Sequence, residues 1–281
     1  CSSDLQLTGF KSLVPVATGV QQERWEDTRG GLHEISFGFA SNMADRLYLG
    51  LGLNIPILSY NRNLTYREAD LTGNTNNDFD LFEYSENYKT NGIGINAKLG
   101  LIYKLNQNVR VGFAFHTPSV MQLTDKIRSE MTTNTEAYAG LITVTSDELN
   151  SGNAGEVTYR ITTPYRALGS ISFVINPVEN TKKQRAFISA DIEYVNYRGA
   201  RFSTADDQDV AGKQYLKVVN EEVKDYYKGN FNFRLGGELK LHTIMFRLGG
   251  AFYGSPYKDA ELKANRILAT GGIGYRDHGI F

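Results

Sequence analysis

The residues most able to do chemistry lie between His116 and Asp125. His116-Thr117-Pro118-Ser119 followed by Asp125 supplies a base, a hydroxyl and a carboxylate within ten residues. In acyl transfer a serine is activated by a histidine that a carboxylate orients. Those three groups must converge on one point, however, and here they follow one another along one extended run. The spacing supports a histidine ahead of a strand-distorting proline, and no catalytic residue is assigned. His33, His242 and His278 stand singly and the chain has one cysteine, Cys1. No metal site, zinc spacing or internal disulfide is therefore expected. Gly249-Gly250 and Gly271-Gly272 sit in alternating runs, outside the strand–helix context that a phosphate loop needs. Neither enzyme activity nor a cofactor is expected.

Binding is better represented. The polar stretch 62–88 carries Leu64, Tyr66, Leu71, Phe79, Leu81, Phe82 and Tyr84, and the stretch 129–157 carries Met131, Tyr138, Leu141, Ile142 and Val144. Apolar side chains in polar loops offer a place for a greasy ligand, since each buried CH₂ is worth about 0.8 kcal/mol. The alternative is packing against a barrel rim or its aromatic girdle.

The elements that must hold these groups are strands. From Thr90 to Ser119, two alternating runs flank the polar turn Asn106-Gln107-Asn108. Ile93, Ile95, Ala97, Leu99 and Leu101 oppose Gly92, Gly94, Asn96, Lys98 and Gly100; Val109, Val111, Phe113 and Phe115 oppose Arg110, Gly112, Ala114 and His116. A period of two places alternate side chains on opposite faces of a sheet. Arg46–Tyr60 repeats the pattern with Leu47, Leu49, Leu51, Leu53, Ile55 and Ile57, and Pro56 marks a kink near its end. Runs of about ten residues match what a tilted strand needs to cross a bilayer.

Net charge is −1, which draws the chain neither to nucleic acid nor to anionic lipid. Mean hydropathy is −0.35 and no apolar run suits a transmembrane helix, which leaves a barrel open because one of its faces is wet. Short turns near 43, 107, 180, 242 and 277 alternate with long connections near 62–88, 129–157, 203–228 and 255–265. That alternation fits an up-and-down barrel with short turns on one side of a membrane. The expected organisation is a poorly periodic segment over 1–30, then a partial barrel over 31–281. Nine strands are counted, with a tenth beginning at Ile280; because an open edge in lipid is not viable, further strands are expected beyond the chain. Cys1-Ser2-Ser3 admits a lipoprotein start but reads more plainly as a boundary. The faces opposite the apolar ones collect Lys98, Arg110, His116, Asp191, Glu193, Arg234, Glu238 and Arg247, with Glu34, Arg166 and Lys240. These are assigned to a wet interior.

GIGINAKLGLIYKLNQNVRVGFAFHTPS and RLYLGLGLNIPI, with the later SADIEYVNYRGARFS and FRLGGAFYGSPYKD, resemble the outer-membrane long-chain fatty-acid and hydrophobic-compound transporters of the FadL/TodX family, in a Bacteroidetes-like version. The resemblance covers nearly all of residues 30–281. It implies an all-β, antiparallel up-and-down transmembrane β-barrel of fourteen strands, of which this chain holds about nine to ten. The family's N-terminal hatch and kinked third strand would lie outside the chain. It further implies passive uptake of fatty acids or other hydrophobic compounds across the bacterial outer membrane by a monomeric barrel in contact with outer-membrane lipid. By the same resemblance Leu64, Tyr66, Phe79, Leu81, Phe82, Met131, Tyr138, Leu141 and Ile142 would form a capture groove. Arg62, Arg67 and Arg201 would be candidates for a ligand head group. A barrel lipase or protease, a structural or adhesive barrel and a soluble β-sandwich remain the rivals, and the ligand's identity is open.

Overall fold

The computed structural model describes residue 14 and residues 19–175, 185–241 and 243–275. Cys1, the turns expected at 177–183, His242 and 276–279, and Phe281 lie outside the described residues.

The chain is all-β and antiparallel. Its strands are β1 (Val20–Met43), β2 (Leu47–Asp70), β3 (Leu81–Lys104), β4 (Val109–His116), β5 (Val120–Asn134), β6 (Leu141–Thr145), β7 (Gly155–Thr162), β8 (Arg166–Ile175), β9 (Ala186–Asn196), β10 (Arg201–Thr204), β11 (Gly229–Leu241), β12 (Ile244–Tyr253) and β13 (Arg266–Tyr275). One sheet contains all thirteen: β1 pairs with β2 and β2 with β3, which adjoins both β4 and β5. From β4 the order runs β8, β9, β11, β12, β13; from β5 it runs β7 and β10, with β6 folded back on β5. β4 and β5, β7 and β8, and β9 and β10 are successive parts of single passes, separated by 117–119, 163–165 and 197–200. Joined in this way, and leaving β6 aside, the strands make the nine expected passes.

The register sorts the side chains into two faces. Across β8, β9, β11, β12 and β13, the positions opposite Phe233 are Ile192 and Phe252, continuing to Gly169 and Ile267. The next row but one joins Ile171, Ala190, Leu235, Gly250 and Ala269. No charge interrupts this face in those strands. Its large side chains are uncovered: Leu248 is 76 % exposed, and Ile267 and Ile273 are each 78 % exposed. Phe115, Tyr165, Tyr194 and Phe231 form a row of touching rings along it, at centroid separations of 5.8, 6.1 and 5.0 Å. Aromatic pairs at such distances stabilise beyond the area they bury.

The opposite face carries the charges. Lys98 lies opposite His116, Asp191 opposite Arg234, and Glu238 opposite Arg247. Glu34, Arg110, Arg166, Glu193 and Lys240 share this face with them, so the eleven charged or titratable residues gathered from the sequence lie together.

The chain divides into two compact units. One gathers the chain up to Leu32 with Leu58–Gly92 and Leu123–Thr158; the other holds His33–Ile57, Ile93–Gln122 and the chain from Tyr159. The strand chemistry changes near the same residues. Odd positions of β2 run Leu47, Leu49, Leu51, Leu53, Ile55, Ile57 and then Ser59, Asn61, Asn63, Thr65, Arg67. Odd positions of β3 run Glu83, Ser85, Asn87, Lys89, Asn91 before Ile93, Ile95, Ala97, Leu99, Leu101.

Four sequence expectations need correction. Residues 20–30 are not an aperiodic segment but the first part of β1, where Gly30 (φ 144°) adopts a backbone that L residues rarely take. A β-carbon there would strike the Ser59 carbonyl. The stretch 62–88 is a loop only between Asp70 and Leu81, since β2 and β3 continue into it. The stretch 129–157 contains the end of β5, β6, a 3-10 turn at Ser146–Asn150 and the start of β7. The stretch 203–228 holds helix α1 (Val210–Tyr226), begun by Asp209, whose carboxylate accepts from the Gly212 N–H at 2.8 Å. Asn220 on α1 brackets Phe202 of β10: its amide donates to the Phe202 carbonyl and its oxygen accepts from the Phe202 N–H, both at 2.8 Å. The helix thereby satisfies backbone groups that an edge strand would leave open.

Candidate functional site

In the first unit, β2 and β3 bring their even-numbered side chains to one face. Tyr60 meets Tyr88 edge-on at 6.2 Å and Tyr66 meets Phe82 at 6.3 Å. Arg62 pairs with Glu86 and lies 5.8 Å above the Tyr88 ring. β5 joins the same face through Asp125, which accepts from the Tyr88 hydroxyl and from Thr90, each at 2.7 Å. Met131 and Val144 face each other across β5 and β6, as do Thr133 and Ile142. Odd positions of β5, counted on from Asp125, put Met131 and Ile142 on this face too.

The polar tips here are arranged alike. Tyr66 donates to Glu68, Tyr84 to Glu86 at 3.0 Å, and Tyr88 to Asp125. Each phenol is held above its usual range: Tyr66 mainly by its bond to Glu68, Tyr84 and Tyr88 mainly by burial. With hydroxyls tied to carboxylates, the rings are left as the available apolar surface. Arg62 stays firmly cationic beside Glu86, and its Nε is buried without a hydrogen-bond partner among the described residues. The face therefore offers aromatic surface, a fixed guanidinium and one unused donor.

The proposed capture residues divide accordingly. Leu64, Tyr66, Phe82, Met131 and Ile142 share the aromatic face. Leu81 and Leu141 have the opposite parity, Phe79 is half-buried in the 71–80 loop, and Tyr138 is 80 % exposed in the β5–β6 hairpin. Of the head-group candidates, Arg62 lies on this face. Arg67 has the opposite parity, with a buried, unpartnered Nε of its own among the described residues. Arg201 is in β10, opposite Thr162.

The second unit holds a belt of paired charge. Glu193, only 5 % exposed, accepts from Asn232 at 3.0 Å and pairs with Arg234 at 2.5 Å, with Arg166 at 3.9 Å. Glu238 pairs with Arg247 at 2.5 Å and Lys240 at 3.5 Å. Glu34 pairs with Lys98 and accepts from Asn96 at 3.2 Å; Asn96 is also held by Asn54 at 2.8 Å and Ser119 at 2.9 Å. Arg234 and Arg266 lie 5.7 and 4.8 Å from the Tyr253 ring. A carboxylate this enclosed requires its partners, and these supply them.

The residues first suspected of acyl transfer are dispersed within these networks. Asp125 is bound to Tyr88 and Thr90 and Ser119 to Asn96, and neither hydrogen-bonds His116 among the described residues. No group of three or more metal-ligating side chains occurs among the described residues.

The comparisons add no relative. No family model matches the sequence, and no curated protein matches it. Geometry and chemistry alone bear on function.

Sequence parity puts Asn54, Asn96 and Asn232 on the polar face but does not reveal that they are the buried amides that organise the belt. Nor did the sequence reading find the Tyr–carboxylate pairs, whose signal was the two-residue spacing of Tyr66 with Glu68 and Tyr84 with Glu86.

Proposed function

We propose that this chain forms part of the wall of a β-barrel in a bacterial outer membrane, one that passes fatty acids or other hydrophobic molecules without a cofactor. The observation that carries the reading is the uncovered apolar face and its abrupt end. Leu47–Ile57 on β2 spans about eleven residues; at about 3.3 Å per residue and a tilt of about 45°, that is about 25 Å of height. An apolar band about 25 Å tall is what a barrel presents to lipid. A soluble protein rarely exposes a patch beyond a few hundred Å². The charges on the other face fit water, because they pair there and would cost several kcal/mol in hydrocarbon.

The aromatic face of the first unit supports the choice of cargo. Rings whose hydroxyls are already satisfied suit an alkyl or aromatic ligand, and Arg62 suits an acidic head group by a charge-assisted hydrogen bond. The likeness to the FadL/TodX transporters supports the same reading. The test is uptake of labelled oleate by bacteria with and without the full-length gene, followed by Tyr66→Asp and Phe82→Asp variants. Loss of uptake on deletion, and at least a fivefold reduction in both variants at equal surface abundance, is expected. Uptake unchanged by deletion refutes the transport reading, and uptake unchanged in both variants refutes the ligand face.

A further inference from the structure

The first unit has a second recess, on the face of β2 and β3 opposite the aromatic one. It is a cavity of about 360 Å³ between β2, β3, β5, β6 and the 3-10 turn, and its lining includes Asn63, Thr65, Ser85, Asn87, Arg128 and Asp147. This volume lies in the range of small-molecule sites. Its chemistry differs from that of the aromatic face, which has tyrosine rings where this recess has amides and hydroxyls.

Part of the hydrogen-bonding capacity here is used internally. The Asn87 amide donates to Asn61 at 3.1 Å and to Asn63 at 2.5 Å, and the Thr65 and Ser85 hydroxyls meet at 3.3 Å. Arg128 holds Oδ2 of Asp147 at 3.3 Å. The other oxygen, Asp147 Oδ1, is buried and accepts no hydrogen bond among the described residues. A buried acceptor left empty is costly, more so when charged, so it calls for a donor. Asn63, Asn87 and Arg128 line the same recess.

We propose that this recess binds a neutral, hydroxyl-rich saccharide. A sugar hydroxyl donates and accepts at once. One hydroxyl of a vicinal pair can give its proton to Asp147 Oδ1 while accepting from Arg128, and its neighbour can bridge Thr65 or Ser85 to Asn63. Glu86 and Glu130 also line the recess, so one cation stands with three carboxylates. This balance disfavours phosphate, sulfate and uronate ligands. The inference does not depend on the transport reading, since it uses different residues on a different face.

The full chain is purified in a detergent without a sugar head group and titrated calorimetrically with maltotriose, cellotriose and mannotriose. In parallel it is placed in nanodiscs of phosphatidylcholine with and without digalactosyl diacylglycerol, and retained glycolipid is counted by native mass spectrometry. Saturable binding is expected in at least one arm; free trisaccharide alone points to a soluble glycan, glycolipid alone to a membrane one. Asp147→Asn should weaken it at least tenfold, and Glu148→Gln, outside the recess, should not change it. Asn87→Ala decides the matter if Asp147→Asn loses its β-sheet circular dichroism. Absence of saturable binding in every arm, or equal binding by folded Asp147→Asn and Asn87→Ala, overturns the proposal.

Discussion

An arginine placed at two heights on one strand face tests the membrane reading most directly. Leu51 and Thr65 are both odd positions of β2, but Leu51 lies midway between Leu47 and Ile57 whereas Thr65 lies beyond Ile57. If the apolar run is in hydrocarbon, Leu51→Arg places a guanidinium near the midplane at a cost of about 2–4 kcal/mol, falling to about 0–1 kcal/mol near or beyond the interface. That difference lowers the folding equilibrium about 30- to 700-fold for Leu51→Arg, and little for Thr65→Arg. Gly50→Arg supplies the second control, because Gly50 belongs to the charged face and the nearest atom to its added β-carbon is 3.9 Å away. The assay is urea-dependent folding of the full-length protein into phosphatidylcholine vesicles, followed by the fluorescence of Trp25, the sole tryptophan. A Leu51→Arg variant as stable as the parent, or a Thr65→Arg variant equally damaged, refutes the assignment of this face to lipid.

Other outcomes follow from the polar contacts. Glu193→Ala strands Arg234 and Asn232 and should cost about 1–3 kcal/mol; the Glu193→Ala, Arg234→Ala double variant should lose less than the sum of the single losses in the same urea titration. Asn220→Ala removes both bonds to Phe202, at about 0.5–1.5 kcal/mol each, and should speed deuterium exchange at the Phe202 amide while sparing β13. Asp70 is held below the usual carboxylate range, chiefly by the Thr72 backbone N–H and then by Asn77. Its contribution is therefore present above its unfolded pKa and lost as pH falls through its lower folded value. The protection factor of the Thr72 amide (intrinsic over measured exchange rate) should fall on acidification through that window, and Asp70→Asn should remove that fall.

How much of this was legible depends on what each side chain faces. Where one face of a strand is apolar and the other polar or charged, alternation is strong, and Leu47–Ile57, Ile93–Leu101 and Val109–Phe115 announced themselves. Beyond Ile57, and before Ile93, both faces are polar or mixed. The strand persists but its period-two signal disappears, so 62–70 and 81–88 resembled loop. Helix α1 had a readable pattern in Asp209 followed by Leu216, Val219 and Val223, but its charges dominated the composition of that stretch. The sequence correctly gathered the charged face, because parity alone assigns Lys98 or Glu238 to a side. It could not show which charges pair, since Glu193 and Arg234 are 41 residues apart. The recess around Asp147 had no signal at all: asparagines, a serine and a threonine from separate strands look like ordinary polar surface until the register aligns them.

The three interruptions at 117–119, 163–165 and 197–200 do more than divide strands. On β4 the charged face takes even numbers, as at His116; on β5 its continuation takes odd ones, as at Asp125, and Met121 lies where a β-carbon on Gly94 would fall. β8 and β7 change over likewise, since Thr158 bonds Thr124 on the reverse side, and β9 and β10 do so through Phe202 opposite Ile161. Each short segment works as a phase shifter, and the first two are stitched together where the Ser119 N–H donates to the Thr163 hydroxyl at 2.8 Å and the Thr163 N–H to the Ser119 carbonyl at 3.0 Å. Inserting or deleting one residue there would turn every side chain on one side of the break inside out. These spacers of three or four residues, dull in composition, are thus the least length-tolerant of the described segments.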